Sequence, residues 1–126
     1  MVALTGIWNG LYSFPELMPP VCFVATLLET ETWVSGTTHE TVAEYGVLYA
    51  QLIGRRSGDL VSFNKTYQDA PPGYRLVSYS GTVNADATEI SGFWIVPGAW
   101  SGTFVMTRPK GAEPAVEREI LETVRG

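Results

Sequence analysis

One cysteine, Cys22, and one histidine, His39, are all the chain has of the side chains that build soft metal sites. A four-cysteine or mixed Cys/His zinc site and an intrachain disulfide are thereby excluded, so the expectation is no metal and no cofactor. Positive charge is also scarce. Eight Lys and Arg against 13 Asp and Glu leave a net −5, and no basic cluster exceeds the Arg55-Arg56 pair. A nucleic-acid partner, which requires cations to neutralise phosphates, is not expected. No apolar run approaches the ~20 residues of a membrane-spanning helix, and Met1 to Gly6 carries no basic region, so no leader is visible. The expectation is a cytoplasmic protein with no membrane partner. Charged residues make up only 17% of the 126, below the usual quarter, whereas 45% are hydrophobic. That composition supports one well-filled domain over residues 1–126 with an unusually apolar surface.

What is present is a β rhythm. Short runs rich in Val, Thr, Tyr, Phe and Trp alternate with clusters of Gly, Pro, Asn and Asp. They predict strands over Thr5 to Phe14, Val21 to Glu29, Thr32 to Thr38, Gly46 to Arg55, Leu60 to Tyr67, Arg75 to Val83, Glu89 to Val96 and Ala99 to Arg108. The junction from Glu29 to Glu31 carries the weakest turn signal. Thr41 to Ile53 also fits a helical stripe through Val42, Tyr45, Tyr49 and Leu52, but Gly46 and the β-formers around it favour a strand. Eight strands of ~8 residues with connections of ~4 account for most of the chain. In the remainder, Pro114 and the spacing of Val116, Ile120 and Val124 predict a short amphipathic helix over about 114–124. The predicted fold is all-β: a single eight-stranded antiparallel up-and-down barrel over residues 5–108, closed so that no edge is exposed, with a short C-terminal α-helix. A two-sheet sandwich is the alternative.

Parity assigns the faces. The first strand alternates Gly6, Trp8, Gly10 and Tyr12 against Ile7, Asn9, Leu11 and Ser13, and the last alternates Trp100, Gly102, Phe104, Met106 and Arg108 against Ser101, Thr103, Val105 and Thr107. Gly6-Ile7-Trp8 opening the first strand and Arg108 closing the last resemble the signature of the calycin barrels, the superfamily of lipocalins, fatty-acid-binding proteins and avidins. The resemblance implies that Arg108 packs across Trp8 at the closed end of the barrel, a contact that suits a guanidinium over an indole. The chain length and the segments Val34 to Thr37, Leu52 to Arg55 and Trp100 to Gly102 look avidin-like. The asparagine that avidins place two residues after the first-strand tryptophan is Gly10 here, so biotin binding is not implied.

Trp8, Trp94 and Phe104 read either as a hydrophobic plug or as a ligand wall. In the fifth strand Val61, Phe63, Lys65 and Tyr67 share one face, so an inward apolar face takes Lys65 with it. A lysine so placed needs a carboxylate, and Glu29 or Glu31 is the expected source; near a strand end it would instead reach solvent. His39 beside Glu40 has no nucleophile tied to it by spacing and reads as a loop or surface residue. Cys22 among Val21, Phe23 and Val24 reads as a small buried hydrophobe. The second and fourth strands are apolar on both faces, which predicts a homo-oligomer, dimer or larger.

The functional expectation is a barrel that binds a small, partly apolar molecule, with an anionic group as the option Lys65 opens. Its lining would be Trp8, Tyr12, Phe63, Lys65, Tyr67, Tyr79, Trp94 and Phe104. Two alternatives stand beside it: an isomerase or cyclase that moves a proton with Tyr, Lys or Glu, and a solid barrel whose outer surface is an interaction module.

Overall fold

The computed structural model describes residues 2–15, 18–42, 46–69 and 76–110. Eight strands run in chain order: β1 (Gly6–Ser13), β2 (Val21–Thr30), β3 (Trp33–Val42), β4 (Gly46–Ser57), β5 (Leu60–Gln68), β6 (Val77–Val83), β7 (Glu89–Val96) and β8 (Trp100–Thr107). Each pairs antiparallel with the next, and β1 pairs with β8 from Asn9 opposite Thr107 to Ser13 opposite Thr103, closing the barrel. The expected tail helix lies outside the described residues. Short hairpins set the register: Thr30 faces Trp33, Ser57 faces Leu60, and Val96 faces Trp100 across three residues. The junction with the weakest turn signal is thus a two-residue loop, and Glu31 takes a left-handed φ of 58° to make it. Between β6 and β7, Asn84 Oδ1 accepts the amides of Thr88 and Glu89, an example of a short polar side chain ordering a turn.

One boundary differs from expectation with consequence. β3 runs four residues past Thr38, because Glu40 and Val42 continue the inward face begun by Val34 and Thr38, and β4 pairs with it as far as Val42 opposite Gly46. His39 therefore sits on a strand, with its side chain outward and exposed, rather than in a loop. Over Gly46–Ser57 the helical stripe is overruled by ladder pairing on both sides.

The closed end is built by two arginines. The Arg108 guanidinium lies 4.3 Å from the Trp8 ring centroid and donates to the carbonyls of Ala87, Thr5 and Ala3. Trp8 Nε1 donates to Leu4 O at 2.8 Å. Arg56, unforeseen in the sequence, donates to Val2 O, to Gly58 O and to Glu29 Oε1 at 3.0 Å, and Glu29 in turn accepts the Leu4 amide. Residues 2–5 are thereby strapped over the barrel floor. Gly6 supports this entry with a φ of 151°, a region that glycine enters and other residues avoid.

Inside, Phe23, Ala25, Leu27, Val34, Leu52, Val61, Phe63, Tyr79, Ile90, Phe104 and Met106 form one continuous core with Trp8 and Trp94. Gly10 leaves space for it: a Cβ there would fall 2.2 Å from Phe23 Cζ. Cys22 is exposed on the outer face of β2, contrary to the expectation of burial, because the inward parity belongs to Phe23, Ala25 and Leu27. Val47, Tyr49 and Ile53 of β4, and Phe93 and Ile95 of β7, leave apolar side chains exposed outside.

Candidate functional site

Toward the end opposite Arg108, the barrel interior changes from apolar to polar. β5 alternation turns Val61, Phe63 and Lys65 inward and buries all three, and Lys65 Nζ meets Glu40 Oε1 at 2.8 Å with both side chains 1% exposed. Neither Glu29 nor Glu31 supplies the partner. Glu29 is engaged with Arg56 at the other end, and Glu31 lies in the β2–β3 turn. Glu40 is the residue that sequence reasoning missed, and the signal was its parity with Val34 and Thr38 once β3 is allowed to continue.

Two more donors converge on the same carboxylate. Tyr67 donates its O–H to Oε1 at 2.8 Å, and Tyr12 donates to Oε2 at 2.5 Å. One carboxylate thus accepts three hydrogen bonds, two of them from phenols on β1 and β5. The ammonium is also enclosed by rings, with centroids of Tyr67, Tyr12, Phe23 and Tyr79 at 4.7, 5.0, 5.1 and 5.8 Å. Such rings offer their negative faces to a cation that has lost its water.

Burial governs the protonation of this cluster. Desolvation lowers Lys65 from its ordinary 10.5, and the negative Glu40 beside it opposes that pull. The phenols of Tyr12, Tyr67 and Tyr79 are pushed well above 10.0, chiefly by burial and then by the nearby Glu40, so all three remain proton donors. Thr38 Oγ1, on the same inward face of β3 as Glu40, is buried with no hydrogen-bond partner among the described residues.

The remaining expected lining residues form the adjoining wall. Phe63 stacks on Tyr79 at 5.1 Å, Phe104 meets both edge-on, and Trp94 contacts Tyr12 and Phe14. Trp8 stands apart from them at the floor, against Arg108. A surface cleft of about 850 Å³ along β1, β2 and β3 is lined mainly by the β1–β2 connection and outward residues such as Asn9, Cys22, His39 and Thr41; Tyr12, Phe23 and Glu40 border it, and Lys65 and Tyr67 do not. Among the described residues no group of three or more His, Cys, Asp or Glu is placed to hold a metal ion.

No protein-family model and no curated protein matches this chain. Among solved structures it is similar to a redesigned beta barrel, at 14% identity and a TM-score of 0.70, over 84% of this chain and 91% of that one. At that identity the likeness concerns the fold alone. A β-barrel fold is thus seen both in this chain and in a solved protein with little sequence in common.

Proposed function

We propose that the barrel binds one small, partly apolar molecule against the Lys65 half of its interior, with a polar group of that molecule meeting the Glu40–Lys65–Tyr12–Tyr67 cluster. The observation that carries this reading is a fully buried ammonium–carboxylate pair inside the barrel, walled by aromatic rings and hydrogen-bonded by two phenols. A pair held so far from water carries a desolvation cost that a wholly apolar core would not, and a binding role accounts for its presence. Because Glu40 already neutralises Lys65, the cluster favours a neutral carbonyl or hydroxyl over a carboxylate, which shifts the emphasis away from an anionic ligand. The Arg108 and Trp8 contact supports kinship with the calycin binding barrels.

A second reading, proton-transfer catalysis of the isomerase or cyclase kind, draws on the same buried titratable pair. Three donated hydrogen bonds already occupy both oxygens of the Glu40 carboxylate, which leaves it engaged rather than open to a substrate proton, so binding stands first. Calorimetric titration with phenylpropanol, phenylpropanoate and propylbenzene tests the proposal. Phenylpropanol should bind most tightly, and replacing Lys65 and Glu40 together by Met and Gln should remove its advantage over propylbenzene. If none of the three binds, the interior is filled and the reading of a solid interaction module takes its place.

A further inference from the structure

The chain has only two lysines, and they occupy opposite environments. Lys110 has a side chain 77% exposed, whereas Lys65 is 1% exposed, with its amine enclosed by aromatic rings and set against one carboxylate. We infer that Lys65 is a covalent attachment point for an apolar aldehyde, held as a protonated imine with Glu40 as its counterion, a reading that rests on the binding function proposed above.

The chemistry balances without an oxidant or reductant. Lys65 gives up a proton, its nitrogen lone pair attacks the aldehyde carbon, and the carbonyl oxygen takes protons and departs as water while the C=N bond forms. Ammonium plus aldehyde thereby becomes iminium plus water. One positive charge stands beside Glu40 before and after, so the buried ion pair survives the reaction. Acylation of the same nitrogen would remove that charge and leave Glu40 buried and unpaired, a costly outcome. The site therefore discriminates between carbonyl classes by charge.

Three further features fit. Burial that disfavours the ammonium raises the share of neutral amine able to attack. The rings of Tyr12, Phe23, Tyr67 and Tyr79 packed around Nζ surround the new bond with apolar surface that suits an apolar rather than a charged aldehyde. Thr38 Oγ1, buried without a partner among the described residues, offers a hydrogen bond to the hydroxyl of the intermediate or to the departing water.

The test is reductive trapping on the intact chain. Protein is mixed with phenylpropanal and cyanoborohydride at neutral pH, and the resulting secondary amines are located by peptide mass mapping. Lys65 should be labelled about tenfold or more faster than Lys110, since buried lysines react through their neutral form. Glyoxylate, a small charged aldehyde, should show the reverse preference. Excess phenylpropanol should slow labelling at Lys65 and leave Lys110 unaffected. Labelling confined to Lys110 and the α-amino group, with phenylpropanol still binding by calorimetry, overturns the imine and spares the binding reading. Equal labelling of Lys65 by both aldehydes overturns the preference for an apolar aldehyde, and with it the inference. If phenylpropanol does not bind and Lys65 is not labelled, both readings fall.

Discussion

Glu40 and Lys65 meet at 2.8 Å although they lie on β3 and β5, with β4 between them. The inward residues of β4 on this stretch are Leu48, Ala50 and Leu52, and the small Ala50 pairs with Thr38 on one side and Tyr67 on the other. The ion pair thus bridges two strands that share no hydrogen bonds, so its removal is expected to be felt as a pair.

Lys65→Met alone strands a buried carboxylate and Glu40→Gln alone strands a buried amine, each expected to cost about 3 to 5 kcal/mol. The double substitution should recover most of that, because the Gln carbonyl can still accept from Tyr12 and Tyr67. A urea-unfolding double-mutant cycle reads the coupling. Additive losses would mean the two groups act independently.

Alkaline pH should destabilise the barrel through its phenols. Tyr12, Tyr67 and Tyr79 are raised above 10.0, so beyond pH 10 the unfolded chain has lost protons that the folded chain keeps. Stability then falls as pH rises, by about 1.4 kcal/mol per pH unit for each phenol. Lys65 works in the opposite sense below 10.5: its folded value is lowered, so its contribution grows as pH climbs toward that point. Tyrosinate absorbance followed alongside urea midpoints checks this. Ionisation of all the phenols before any unfolding would contradict it.

At the floor, Trp8→Ala is expected to cost about 3 to 5 kcal/mol as a deletion of a fully buried aromatic. Arg108→Met should be comparably damaging, since it leaves the carbonyls of Ala3, Thr5 and Ala87 without their side-chain donor. Thermal melts of the two variants suffice. A loss below about 1 kcal/mol in either would show that the floor is not a stability centre.

Self-association is expected through the outer face of β4, where Val47, Tyr49 and Ile53 stand exposed with Gln51 between the last two. Sedimentation should show a dimer or larger species, and Ile53→Asp should shift it toward monomer. A parent chain that stays monomeric at high concentration would remove β4 as an interface.

Cys22, outward on β2, should react with a thiol reagent in the native protein. Reaction only after denaturant is added would place it inside instead.

Alternation along the segments indicated the eight strands and the inward faces of the first, fifth and last, and made a closed barrel the expected fold ahead of a sandwich. It also placed Trp8 and Arg108 where they could meet, because a two-residue period reports facing without knowledge of partners. Parity likewise put Lys65 on the inward face, with solvent at a strand end as the alternative that its burial removes. What no segment could report was which carboxylate would meet it. That depended on how far β3 continues, on a narrow residue in the intervening β4, and on a barrel curvature that brings Tyr12 of β1 and Tyr67 of β5 onto one oxygen pair. The burial of Glu40, the strap built by Arg56 over residues 2–5 and the outward turn of Cys22 were likewise decided by tertiary structure. Strand period is a local property of the chain. The pairing of charges across a closed sheet depends on register, and register exists only once the strands are assembled.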